Sequence, residues 1–135
     1  MPESSQHLNL VKVLIEEFSK IVPSDCIRLI QFDSPDSSSL PPKIGKGYRP
    51  DAYYQFKDLL VVGEAKTSDD VERRHSREQY EAYLKECASF YGQAFFVITV
   101  PLLEKASANN ILKNLKKTIH GEYRIIVKGW IGGSV

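Results

Sequence analysis

Asp51, Glu64 and Lys66 are the residues of this 135-residue sequence whose types and spacing suit chemistry. They lie in residues 47–70, GYRPDAYYQFKDLLVVGEAKTSDD, where two apolar runs flank the polar pair Lys57-Asp58. Two carboxylates on neighbouring strands can share one hard cation. Mg²⁺ suits such a site, because it takes few carboxylates, keeps waters and is completed by phosphate oxygens. Mn²⁺ is its natural substitute, and the backbone carbonyl of Ala65 is a further oxygen ligand. The Lys66 ammonium beside that cation would hold an attacking water, lower its pKa jointly with the metal, or stabilise charge on a phosphate.

The elements that must position these groups follow from hydrophobic period. Residues 51–56 and 59–66 alternate as strands of a hairpin turning at Lys57-Asp58. Leu60, Val62, Glu64 and Lys66 share one face, with Glu64 and Lys66 roughly 7 Å apart along the strand. A helix should cover Leu60 and Val62, leaving the polar pair just beyond the cover at the strand's C-terminal end, where open α/β sheets place ligands. The first strand is the shorter, which places Asp51 diagonally from Glu64.

Leu8, Val11, Leu14, Ile15, Phe18, Ile21 and Val22 recur at helical spacing and predict a helix ending near Pro23. Glu16 should face solvent, and Glu17 lies at the edge of the stripe, from which it could reach a neighbouring layer. Residues 26–32 read as a strand, 33–42 as a Ser/Pro-rich loop and 43–47 as its continuation. There Gly45 and Gly47 permit close approach to a ligand or another backbone. Residues 71–91 read as a helix whose apolar face gathers Tyr80, Tyr83, Leu84, Cys87, Ala88 and Tyr91. Residues 94–100 read as a strand buried on both faces. Residues 101–117 read as another helix, with Asn109-Asn110 as a point where it could break, and 123–127 as a last strand, with a loose end at Gly129-Trp130-Ile131-Gly132-Gly133. The order α, β, β, β, α, β, α, β implies a right-handed crossover and a mixed sheet flanked by helices, an α/β sandwich.

The length predicts one domain spanning 1–135, with limited surface for a large substrate, so self-association is expected. No apolar run approaches the roughly 18 residues of a membrane span. Met1-Pro2-Glu3-Ser4-Ser5 lacks the features of a signal peptide. Cys26 and Cys87 form no CxxC or Cys/His spacing, which fits a cytoplasmic compartment and argues against zinc or an iron–sulfur cluster. The net charge of +1 carries no global nucleic-acid signal, but its distribution is uneven. Up to Leu40 there are three Lys/Arg against six Asp/Glu, and from Tyr91 onward six against two. Lys43, Lys46 and Arg49 precede the hairpin. Arg73, Arg74 and Arg77 follow it beside His75. Taken alone these two clusters read as solvated faces; they become candidate contacts to a DNA backbone only with the family resemblance that follows.

Pro50-Asp51, twelve intervening residues and Glu64-Ala65-Lys66 resemble the signature of the PD-(D/E)xK nuclease superfamily. The predicted order over about 9–100 resembles that family's core of a helix, a three-stranded meander, a helix and a strand. Gln79-Tyr80-Glu81-Ala82-Tyr83 resembles the QxxxY of RecB-like branches. The resemblance implies a restriction-endonuclease-like three-layer fold and metal-dependent hydrolysis of DNA phosphodiesters. It also implies Glu17 as a metal-directed carboxylate on the first helix and Gln79 as a further site residue.

Three readings follow for the whole chain. It is an endonuclease acting as a homodimer on duplex or branched DNA, a non-catalytic DNA-binding or assembly subunit, or a nuclease subunit active only in a larger complex. Intact Asp51, Glu64 and Lys66 argue for chemistry. The absence of a reader domain favours a partner-dependent nuclease over a self-sufficient restriction enzyme.

Overall fold

The computed structural model describes residues 5–132. Met1 to Ser4 of the leader reading, and Gly133 of the loose end, lie outside the described residues. Helix α1 spans Ser5–Ile21 and a 3₁₀ turn follows at Ser24–Leu29. Strand β1 is Gln31–Phe32, β2 is Ala52–Phe56 and β3 is Leu59–Ala65. Helix α2 runs over Arg74–Ser89 and β4 over Gln93–Pro101. A 3₁₀ turn at Leu102–Glu104 leads into α3 at Lys105–Lys116, and β5 is Arg124–Trp130.

The strands form one open five-stranded sheet in the order β1-β2-β3-β4-β5. β1, β2 and β3 are antiparallel neighbours, whereas β3–β4 and β4–β5 are parallel. The sheet is mixed because α2 carries the chain back across it between β3 and β4. Alternation along β3 divides the core in two. Val61 packs with Leu14, Phe18, Ala52, Tyr54 and Val97 on the α1 side. Leu60 and Val62 pack with Tyr80, Tyr83, Leu84 and Phe96 on the α2/α3 side. The arrangement is α/β, with helices on both faces, and is compatible with a three-layer sandwich.

The hairpin forms where alternation places it. Phe56 pairs with Leu59, so Lys57-Asp58 is a two-residue turn, and Lys57 takes a left-handed φ of 55° to close it. β4 is buried on both faces through Phe96 to Val100, as its continuous apolar run requires. α3 continues through Asn109-Asn110 without a break. β5 extends past 127 into Gly129-Trp130, which were expected to be loose, because Val100 and Pro101 supply partners there.

Three expectations are corrected. Residues 26–32 are not one strand: most of the segment is a 3₁₀ turn, held by the Cys26 N–H on the Pro23 carbonyl at 2.8 Å and the Ile30 N–H on the Ile27 carbonyl at 3.1 Å. Pro23 starts this local bonding, and only Gln31 and Phe32 reach β2. α2 begins at Arg74 rather than 71, because Thr67 and Asp70 bond each other in a turn. Tyr91, placed on the apolar face of α2, lies after the helix and is 97% exposed.

The inward stripe of α1 is also rotated from the predicted one. Leu10, Leu14, Glu17 and Phe18 are buried, while Leu8 and Ile15 stand at 47% and 37% exposure. Gly63 sets this contact. A Cβ there would strike the Phe18 ring and lie 3.0 Å from Leu14 Cδ1. Gly63→Val is therefore expected to lower unfolding free energy by about 2–3 kcal/mol, as overpacking of a buried site does. Urea unfolding followed by circular dichroism checks this. Unchanged stability would mean that α1 does not seat on the sheet at this point.

Gly45 and Gly47 have φ values of +63° and +110°. Gly45 serves the approach of another element rather than of a ligand. A Cβ on it would lie 2.9 Å from the Cβ of Ala82 on α2.

Candidate active site at the end of the hairpin

The β2–β3 register ends with Ala52 opposite Gly63, so one further step sets Asp51 opposite Glu64, level with it rather than diagonal. The Ala65 N–H donates to Asp51 Oδ2 at 2.8 Å, and the Asp33 N–H donates to the Asp51 carbonyl at 3.0 Å. These bonds hold the Asp51 carboxylate at the end of β3 although Asp51 lies outside β2. The Lys66 N–H donates to the Thr99 carbonyl at 3.0 Å, carrying the sheet bonding one residue beyond β3.

Glu64 and Lys66 point to the α2 side, as alternation requires. Lys66 Nζ is 3.4 Å from Glu64 Oε2 and donates to Gln79 Oε1. Both charged residues are almost enclosed, with side chains 10% exposed for Lys66 and 6% for Glu64. An ion pair at an open strand end adds little stability, and its chain ends stay in water. This pair is buried, joined by a glutamine from another element and set against a second carboxylate.

The electrostatics of the pocket are unbalanced. Burial, and next the negative charge of Asp51, push the Glu64 carboxyl well above its usual range, with Lys66 opposing them. Glu64 Oε1 is buried and has no hydrogen-bond partner, and neither has Tyr83 Oη. Burial first, then Glu64 and Asp51, push the Tyr83 phenol up. An orphaned carboxylate oxygen beside a second carboxylate fits a hard divalent cation that retains several waters. Among the described residues, no three His, Cys, Asp or Glu side chains converge closely enough to form a metal-holding group by themselves.

His7 was not anticipated. Its Nε2 lies 3.6 Å from Asp51 Oδ2, and its side chain is 20% exposed. It shares the inward stripe of α1 with Leu10 and Leu14, and that i, i+3, i+7 spacing was the available signal. Glu17 is nearly buried, but its carboxylate pairs with Lys20 at 2.8 Å. It stands ten residues along α1 from His7, about 15 Å of helix rise. α1 thus brings His7, not Glu17, to Asp51.

The basic residues lie on two segments that meet each other. Tyr48, between Lys46 and Arg49, packs edge-on against His75 with ring centroids 5.6 Å apart. Its hydroxyl lies 3.4 Å from Glu78 Oε1. The segment with Lys43, Lys46 and Arg49 therefore abuts the start of α2. Lys43 and Lys46 are exposed, whereas Arg49 is half-buried and its Nε is enclosed without a hydrogen-bond partner. Arg73 pairs with Asp70 at 3.4 Å, Arg74 lies 3.6 Å from Glu78, and Arg77 Nε donates to the Glu72 carbonyl. The Arg74 side chain is 94% exposed, so its weak pairing leaves it accessible.

Among the described residues, no helix is long and apolar enough to cross a membrane. Comparison of the chain with protein-family models, curated proteins and solved structures gives no match.

Proposed function

We propose that this chain is a Mg²⁺-dependent DNA endonuclease with a restriction-endonuclease-like fold and a PD-(D/E)xK site. The observation that carries this reading is the convergence of Asp51, Glu64, Lys66 and Gln79 at the C-terminal end of β3. Asp51 and Glu64 would hold the cation, with His7 beside Asp51 and the Ala65 carbonyl as a further oxygen. When bound, the cation neutralises phosphate charge and acidifies water. The chain's own groups do the rest. The Ala65 N–H fixes the Asp51 carboxylate. Gln79 Oε1 fixes the Lys66 ammonium, which faces the charge that builds on the phosphate as water attacks phosphorus. One P–O ester bond breaks, leaving an alcohol and a phosphate monoester. Lys43, Lys46, Arg49, Arg73, Arg74 and Arg77 would contact phosphates without reading sequence.

Self-association is part of this proposal, since one such site cuts one strand and a symmetric pair cuts two. Leu102 and Leu103 stand at 46% and 93% exposure after β4, and Ile131 at 73% after β5, apolar side chains that a second copy or a larger nuclease complex would cover. Sedimentation velocity is expected to show a dimer.

The function is tested by incubating the protein with supercoiled plasmid, linear duplex, single strands and a four-way junction, with Mg²⁺, Mn²⁺ or EDTA. Cutting that needs the metal and disappears in Asp51→Asn is the expected result. DNA binding without any cutting would replace the enzyme by a non-catalytic subunit.

A further inference from the structure

We propose that the groove between α1 and the segment 32–37 is a nucleobase site, which admits DNA whose bases beside the scissile phosphate are unpaired. The inference rests on the nuclease reading above and specifies its substrate. The groove encloses about 380 Å³, within the roughly 300–1,000 Å³ of small-ligand sites. Leu8, Val11, Ile15 and Phe32 line it on the apolar side, and Asp36 and Asp51 on the polar side.

Three features choose the occupant. Leu8 and Ile15 stay 47% and 37% exposed on a helix that buries Leu10 and Leu14 completely. The rotation of α1 thus leaves a second apolar strip facing the groove. Asp36, which takes no part in holding the cation, gives the groove a negative lining that disfavours a phosphate, while the flat apolar face of a base is accepted. A base edge carrying amino groups meets the Asp36 carboxylate as an acceptor. Finally, Asp51 both lines the groove and accepts the Ala65 N–H at the catalytic end of β3. A base in the groove therefore adjoins a phosphate held at Asp51 and Glu64. A base paired inside a duplex cannot enter without leaving the stack, whereas single strands, flaps and junction arms offer bases already free.

The test uses an end-labelled single strand in which one abasic residue is moved position by position. Mapping the cuts made with Mg²⁺ reads the groove directly. Cutting by the native chain is expected to fall about tenfold at one fixed offset from the abasic residue, as loss of a stacked base does. Leu8→Trp, which fills the groove from an exposed position, is expected to cut intact strands about tenfold more slowly and to show no further loss at abasic positions. Ile15→Ser should act in the same direction if Leu8→Trp fails to fold. Equal cutting beside intact and abasic residues would overturn the groove and leave the nuclease standing. A change of sedimentation coefficient in Leu8→Trp would assign the groove to a second copy instead. Cutting of linear duplex but of no single strand would overturn the groove alone, and failure to cut plasmid, duplex, junction and single strand alike would remove both readings.

Discussion

Lys66→Met is expected to slow DNA cleavage by about 10²–10³-fold while changing DNA affinity by less than about twofold, because a positioned charge acts on the transition state rather than on the bound strand. The structure gives the reason for so large a loss. Lys66 Nζ is nearly enclosed, lies 3.4 Å from Glu64 Oε2 and donates to Gln79 Oε1, so its direction is fixed before substrate arrives. Water cannot replace an ammonium in that position at equal strength. Arginine should not restore activity, since its planar fork does not match a pocket shaped for a compact cation. Gln79→Ala removes only the positioning bond and is expected to cost about tenfold in kcat, with the DNA concentration at half-saturation unchanged. Single-turnover kinetics with fluorescence anisotropy for binding checks all three variants. Lys66→Met cutting within about threefold of the native rate would remove Lys66 from the chemistry.

Glu64→Gln should have the second large effect, and in opposite directions on two measurements. Cleavage is expected to fall below detection, because one of the two carboxylates that would hold the cation is gone. Metal-free stability near pH 8 should rise by about 1–3 kcal/mol, the usual cost of a buried polar group left unsatisfied, or roughly 3 °C or more in Tm. Glu64 Oε1 has no partner, and burial together with Asp51 raises the carboxyl pKa well above its ordinary value. The folded chain therefore holds this proton more tightly than the unfolded chain. The contribution to stability is fully present below the unfolded pKa and is lost as pH rises through the folded one. In the native chain, metal-free Tm should decline over that window. In Glu64→Gln the corresponding part of the slope should vanish. Mg²⁺ should raise the Tm of the native chain more than that of the variant. Calorimetry across pH, with EDTA or Mg²⁺, decides it. Identical slopes in the two proteins would mean that Glu64 is not the strained group.

Much of the hairpin was legible because its information is local. Alternation assigns the two faces of β3, a two-residue polar break sets the turn, and the register then brings Asp51 to Glu64. Gln79 was named only through the resemblance of Gln79-Tyr80-Glu81-Ala82-Tyr83 to QxxxY, and its place beside Lys66 depends on α2 packing with Tyr80 and Tyr83 inward. His7 was less visible. The first turn of α1 holds polar Gln6, His7 and Asn9 among apolar residues, and Leu8, Val11 and Ile15 make an equally good stripe on the wheel. Only packing against Gly63 chooses between the two stripes. Residues 26–32 misled for a different reason. Their composition suits a strand, but Pro23 and Ser24 favour local turns, and β2 offers partners only to Gln31 and Phe32. The Glu17–Lys20 pair is an i, i+3 contact that any exposed helix could form, so its presence on a buried position could not be foreseen.

The missing side chain at Gly63 has a reach beyond the core it serves. Phe18 drops into that notch, and a ring seated in a socket stops a helix from sliding along a sheet. His7 lies eleven residues earlier on the same rod, about 16 Å away. A shift of one turn would displace its imidazole by about 5 Å along the helix axis relative to Asp51. The aim of the His7 imidazole is thus calibrated by a missing side chain on β3, one residue before Glu64.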